Sequence, residues 1–209
     1  KYAIIPARAG SKRIKNKNLV DLGGYPLVAW TIASCLAAGL DPYVSTDSYR
    51  ISDVSKHYGA KSIIRPIEAA QAHSTDQDVL AHAADHLRLA DGECVAYMRP
   101  TTPFRTQFDI KSAIDTWEQA KESATSLRSV EEMAETAFKC FVWNCGFLES
   151  ITNRPVDFAN LPNHMFGATY KGNGVIDIVR VEKIRGESLL GISCIGYVTQ
   201  PTIEIDTPY

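Results

Sequence analysis

Ile4-Ile5-Pro6-Ala7-Arg8-Ala9-Gly10-Ser11-Lys12-Arg13-Ile14-Lys15-Asn16-Lys17-Asn18 sets an apolar run against a loop with five cations, Arg8, Lys12, Arg13, Lys15 and Lys17. Residues 2–6 have the apolar density of a buried strand. Pro6 ends it, because proline donates no ladder hydrogen bond. The loop follows at once, where an α/β domain places its first βα turn. A cationic loop at the carboxyl end of a first strand suits a phosphate group. The spacing is neither Gly-x-x-x-x-Gly-Lys-[Ser/Thr] nor Gly-x-Gly-x-x-Gly, since Gly10 stands alone. Long side chains, more than backbone amides, would hold the anion. The competing reading is a solvated basic loop.

Working outward, strand and helix signals alternate. Pro26 suits the first turn of a helix, Leu27, Val28, Trp30, Ile32 and Leu36 follow helical spacing, and Gly39 ends it. A second strand at 43–46 leads to Asp47, and Ser48 caps a helix that closes at Tyr58-Gly59. A third strand covers 62–64. Ser74 or Thr75 caps the next helix, a fourth strand covers 94–98, a helix follows from about 107 to 120, and a fifth strand covers 124–127. This alternation predicts a mostly parallel, doubly wound α/β sheet. Ligands bind such sheets outside the carboxyl ends of the strands. The loops there carry Arg8, Lys12, Arg13, Lys17, Asp47, Arg65, Ser74, Thr75, Arg99 and Arg105. The rhythm breaks from about 130 to 170, which predicts a strand-rich excursion, an oligomerisation arm. The sheet resumes at 174–179, and 194–198 is a late strand.

The chain has 209 residues, of which 45% are hydrophobic, enough for one large domain with a sizeable core. A net charge of −2, from 22 basic and 24 acidic residues, argues against a general nucleic-acid or membrane-surface binder. The cations of the first loop are a local device on a near-neutral body. Five cysteines without a C-x-x-C pair predict reduced, mostly buried thiols in a cytoplasmic protein, and no zinc site. No apolar run approaches transmembrane length and no signal peptide is visible. The chain opens on Lys1 and stops at Tyr209 in mid-pattern, so further residues are expected beyond both ends.

Two more segments carry chemistry. Glu204-Ile205-Asp206 puts two carboxylates on one face of an extended segment. Such a pair can hold a hard divalent cation together with phosphate oxygens, or can simply face solvent on an edge strand. Arg99-Pro100-Thr101-Thr102-Pro103-Phe104-Arg105 is stiffened by two prolines. Its hydroxyls and guanidinium groups suit an anionic, polyhydroxylated ligand. A plain strand-to-helix connection with threonine caps is the alternative. His82 and His86 share a helix face without the glutamate of His-Glu-x-x-His, and read as a satisfied or solvated pair.

Ile5-Pro6-Ala7-Arg8-x-Gly10-Ser11-Lys12-Arg13-x-x-Asn16-Lys17-Asn18 resembles the first motif of the acylneuraminate cytidylyltransferases, the CMP-sialic acid synthetase family. Ser45-Thr46-Asp47, Arg65-Pro66, Pro100-Thr101-Thr102-Pro103-Phe104-Arg105, Asn173-Gly174 and Ile205-Asp206-Thr207-Pro208 resemble later motifs, in the family's order. The resemblance implies a Rossmann-like nucleotidyltransferase sheet in a single domain over 1–209, with a dimerisation arm at about 130–165. It implies transfer of a cytidylyl group from CTP to the anomeric hydroxyl of a nine-carbon sugar acid, with Mg²⁺, in a cytoplasmic homodimer. Kdo cytidylyltransferase and a non-catalytic nucleotide- or sugar-binding protein on the same scaffold are the rivals. Arg8, Lys12, Lys17 and Asp206 would be catalytic. Arg8, Ser11, Lys12, Lys17, Asn18, Arg65, Ser74 and Thr75 would bind the nucleotide. Arg99, Thr101, Thr102, Lys139, Tyr170, Asn173 and Asp177 would face the sugar, and Glu204 and Asp206 the metal. Departures from the family pattern fall mostly on the sugar side: Arg99 for glutamine, Phe158 and Ala159 for a polar pair, Asp177 for an aromatic. They leave a modified nonulosonate, of legionaminic or pseudaminic type, open beside N-acetylneuraminate as the acceptor.

Overall fold

The structure is a computed structural model that describes residues 1–11, 13–66 and 74–207. Strand β1 (Tyr2–Pro6) runs through its centre, with Ala3, Ile4 and Ile5 buried. Two short strands, β2 (Asp21–Leu22) and β3 (Tyr25–Pro26), form a small hairpin before helix α1 (Leu27–Ala37). Then come β4 (Asp41–Thr46), α2 (Tyr49–His57), β5 (Lys61–Ile64), α3 (Asp76–His86), β6 (Cys94–Tyr97), α4 (Gln107–Ala120) and β7 (Ser126–Glu132). A hairpin of β8 (Phe141–Asn144) and β9 (Phe147–Ser150) follows, and the chain returns through β10 (Tyr170–Arg180), α5 (Val181–Ile184) and β11 (Cys194–Val198).

Among the described residues the main sheet has seven strands, in the order β5-β4-β1-β6-β10-β7-β11. Its pairings are parallel except those of β10, which runs antiparallel to β6 and β7. This is the doubly wound, mostly parallel sheet expected. The strand order turns back between β1 and β6, so a crevice opens there at the carboxyl ends of the strands. Neighbouring side chains of β1 face opposite ways, as strand geometry requires. Ile5 packs with Val28, Ile32, Val44 and Ile110 on one face, and Ile4 with Ile63, Leu80, Tyr97 and Val179 on the other.

Helix starts follow the side-chain caps. Ser48 Oγ accepts from the Ile51 amide, and Thr75 and Thr106 form reciprocal capping boxes with Asp78 and Asp109. Strand β7 runs on to Glu132, past the fifth strand predicted at 124–127. The acidic pair Glu131-Glu132 looks like a break in sequence. In the structure Glu131 is buried and pairs with Lys171 of β10 at 2.9 Å, directly across the ladder. Strand β10 likewise starts earlier than expected, and its register shifts between Gly172 and Asp177. At Gly174, φ is +70°, and a Cβ there would lie 2.9 Å from Thr102 Oγ1. Glycine lets β10 approach the 99–105 loop this closely.

The cysteine expectation needs correction. Cys35 is buried and its thiol is pushed up to about 12 by burial, against the opposing charge of Arg105. Cys94 is half-buried, while Cys140, Cys145 and Cys194 are exposed, because the apolar runs around them belong to the exposed hairpin and to an outer strand.

Candidate active site

The loop after β1 is folded by its own polar residues. The Ala9 amide donates to Asp47 Oδ1 at 2.8 Å, so the end of β4 braces the first turn. Asn16 takes the left-handed conformation at φ 53°. The buried Asn18 donates from Nδ2 to the Arg8 carbonyl at 2.9 Å, which shapes the loop around Arg8. Lys17 donates to Asp206 Oδ1 at 2.6 Å, and Arg13 pairs with Asp206 Oδ2. Lys12 lies outside the described residues.

The last segment is docked against this loop. The Ile205 amide donates to the Thr101 carbonyl at 2.7 Å, and Thr101 Oγ1 donates to Glu204 at 3.2 Å. Residues 199–206 are irregular rather than an edge strand, so the Ile205 backbone tie, the Thr101 bond to Glu204 and the ion pairs of Asp206 position the two carboxylates. The hydrogen bond from Lys17 holds the Asp206 carboxyl below its ordinary range, against partial burial and with help from the charges of Lys17 and Arg13.

A cavity of about 460 Å³ opens at the switch point. Arg8, Ser11, Arg13, Lys17 and Asn18 line it from the first loop, and Arg65, Ser74, Thr75 and Asp76 from the far side of the crevice. Tyr97, Arg99, Thr101, Glu204 and Asp206 complete the wall. The volume is ordinary for a small-molecule site. Arg65 is buried, donates to the Ser45 carbonyl at 3.4 Å, and is lowered by burial, with Asp47 opposing and Arg8 adding to the shift. Arg99 donates to Asp177 at 2.9 Å and to Asp76 at 2.6 Å. Burial works against its charge, but the two carboxylates more than offset it, so Arg99 is raised.

The structure thus brings all the described residues expected around the nucleotide into one cavity, with Arg99, Thr101 and both acids. Five residues expected near the sugar do not line it. Thr102 is buried and donates to the Asn173 carbonyl at 3.0 Å, and Asn173 in turn donates to Thr199 at 2.6 Å. Asp177 is buried behind Arg99 and also takes two bonds from Arg128. Lys139 sits in the excursion with its ammonium 5.7 Å from the Phe166 ring centre, where Phe138 and Phe158 also pack. Tyr170 is exposed at the start of β10. Arg105, which the sequence places among the loop cations, is buried beneath the site. It donates to the carbonyls of Arg99 and Gly174, and burial lowers it to about 10.

Two wall residues escape sequence reading. Asp76 follows a threonine cap and looks like an ordinary first-turn acid. Tyr97 looks like a core strand residue. Its hydroxyl donates to Asp76 Oδ1 at 2.7 Å, and burial, then the charge of Asp76, raises it well above its ordinary value.

A doubly wound sheet whose switch point gathers cations opposite two carboxylates defines an α/β protein built to handle a polyphosphate. Within that class the chain belongs to the cytidylyltransferase family, whose model, described as "Cytidylyltransferase", matches residues 2–143. It is 30% identical to a CMP-N,N′-diacetyllegionaminic acid synthase of Legionella pneumophila, over 99% of this chain and 90% of that protein. It is 37% identical over 114 residues to an N-acylneuraminate cytidylyltransferase of Escherichia coli O18:K1:H7, a match of 54% of this chain that spans about a quarter (27%) of that protein's length. A solved CMP:2-keto-3-deoxy-manno-octonic acid synthetase complexed with CTP superposes with a TM-score of 0.74 and 20% identity, over 100% of this chain and 94% of that one. This last likeness speaks to the fold.

Proposed function

We propose that this chain transfers the cytidylyl group of CTP to the anomeric hydroxyl of a nonulosonic sugar acid and releases pyrophosphate. One observation carries the reading: Arg8, Arg13, Lys17 and Arg65 line the same cavity as Glu204 and Asp206. Cations placed along a triphosphate offset its internal repulsion and meet the charge that develops on departing pyrophosphate. Lys17, only 13% exposed, holds its ammonium with little freedom to wander. Asn18 holds the loop that presents Arg8.

The carboxylates fit a hard divalent cation by their donor chemistry: two oxygen ligands on one wall, with phosphate oxygens to complete the shell. Glu204 and Asp206 would hold Mg²⁺, which when bound polarises phosphate oxygens and favours ionisation of a nearby hydroxyl. Among the described residues no three His, Cys, Asp or Glu side chains gather into a metal-holding group, so the shell depends on the substrate.

The legionaminic name of the Legionella relative, and departures such as Arg99 and Asp177, support a modified nine-carbon acid as acceptor. No helix among the described residues is long and apolar enough to cross a membrane. The five free thiols support a cytoplasmic setting. The exposed apolar hairpin supports a homodimer. Pyrophosphate release is to be measured with CTP, Mg²⁺ and a panel of N-acetylneuraminic, N,N′-diacetyllegionaminic and pseudaminic acids and Kdo. Release with a nonulosonic acid is expected. Release with Kdo alone moves the acceptor to the eight-carbon class, and CTP binding without any release points to a non-catalytic binding protein.

A further inference from the structure

Arg99 stands on the cavity wall, and two of its five N–H donors are committed to carboxylates. One terminal nitrogen is taken by Asp177 at 2.9 Å and the other by Asp76 at 2.6 Å. Asp177 is 2% exposed and is further held by Arg128, so that end of the guanidinium is fixed from behind. The other end steers Asp76. Its carboxylate is 46% exposed and receives one hydrogen bond on each oxygen, from Tyr97 and from Arg99. An ionised carboxylate offers about four acceptor directions, so about two remain. They belong to an exposed group on the wall of the cavity. The Tyr97 ring also lies under the Arg99 guanidinium at 5.0 Å, which stiffens the pair.

We propose that Asp76 is a specificity-determining residue that accepts a hydrogen bond from an N–H or O–H group of a bound substrate, and that Arg99 is the positioning residue that aims it. The inference rests on the transfer reading above for the identity of the substrates. The donor is either the exocyclic amine of cytosine or a hydroxyl or amide N–H of the sugar acid. Loss of a hydrogen bond to a charged acceptor weakens binding by roughly 10- to 100-fold.

The test reads binding rather than turnover. CTP, UTP and the four acids of the panel are titrated calorimetrically into wild-type protein, Asp76→Asn, Asp76→Ala, Arg99→Gln and the double variant of Asp76→Asn with Arg99→Gln, with melting temperature as a folding check. A loss of about tenfold or more for one acid in Asp76→Asn or Asp76→Ala, with CTP unchanged, supports the proposal and assigns the donor to the sugar. A similar loss for CTP, with CTP and UTP brought level, supports it and assigns the donor to the cytosine amine. In either case Arg99→Gln weakens the same ligand, and the double variant is no weaker than the worse single one, because the two residues act as a unit. Unchanged affinities for CTP and every acid in folded Asp76→Asn and Asp76→Ala proteins overturn the proposal. A wild type that binds CTP and an acid but releases no pyrophosphate sinks the transfer reaction and leaves the role of Asp76 to the titration. A wild type that binds neither overturns both.

Discussion

Lys17 and Asp206 meet at 2.6 Å across 189 positions of sequence, so the first loop and the last segment of the chain close on each other over the cavity. Lys17 is the more enclosed partner, at 13% exposure against 42% for Asp206. On the proposed reading an arriving polyphosphate would compete with Asp206 for the ammonium, and a cation held by Asp206 and Glu204 would replace Lys17 as the counter-charge. The ion pair holds both side chains at the cavity wall.

Lys17→Ala is expected to lower turnover about 100-fold or more, since in the proposed reaction it removes a charge that would meet the leaving pyrophosphate. Steady-state pyrophosphate release under saturating CTP is the measurement. Near-normal turnover would remove Lys17 from the mechanism and leave it a tether for the C-terminal segment.

The same pair sets a pH dependence. The Asp206 carboxyl lies below its ordinary 3.8 because Lys17 hydrogen-bonds its charged form. A depressed carboxyl contributes stability above its unfolded-state pKa, and that stability is lost as pH falls through the lower folded value. Melting temperatures of wild type and Asp206→Asn should therefore differ at pH 6 and converge as pH drops through and below about 4. A difference that persists unchanged at the acid end would show that the asparagine acts through something other than charge.

Asp177 presents a different balance. It is buried, with Arg99 on one side and Arg128 on the other, and lies opposite Tyr97 and Arg128 in the sheet register. Asp177→Ala removes the carboxylate shared by two partly covered guanidinium groups and leaves Arg99 with Asp76 alone. It should cost about 3 kcal/mol, a fall of roughly 6–12 °C in melting temperature. Denaturant titration checks the energy. A loss below the scatter of surface mutants would mean that both arginines swing out to solvent without penalty.

The parts of this protein that sequence reading reached are those in which local chemistry and global fold agree. Residues 2–6 are apolar because β1 is covered on both faces, and Thr106 sits where α4 begins because its hydroxyl and Asp109 satisfy the first amides. The cationic loop could be placed because an α/β sheet has one end at which ligands gather. Reading faltered where a residue answers to a distant partner. Glu131 looks like solvent-facing acid until Lys171 and the Thr202 amide, at 3.0 Å, are seen beside it. Asp177 and Thr102 carry polar groups that suit a sugar, yet they are spent inside, on Arg128 and the Asn173 carbonyl. Asp76 was hidden for the opposite reason, since a local helix-start explanation was already sufficient for it.

The hairpin of β8 and β9 makes the last prediction. Every residue of β8 is exposed, and Trp143 at 71% and Phe147 at 75% lead an apolar set that includes Val142 and Leu148. The Cys145-Gly146 turn, with φ of 47° and 95°, has the positive pair that a tight two-residue hairpin requires. The register puts Trp143 and Leu148 on one face of the ribbon and Val142 and Phe147 on the other. A two-stranded ribbon is marginal alone in water, and large apolar side chains exposed on both of its faces suit an interaction site. In the proposed homodimer a second copy covers it. Light scattering should give a dimer for the wild type at micromolar concentration. Trp143→Glu with Phe147→Glu should give a folded monomer, because the charges are desolvated only in the assembled state. A wild type that is monomeric throughout, or a double variant that dimerises equally well, would leave the hairpin needing a different partner.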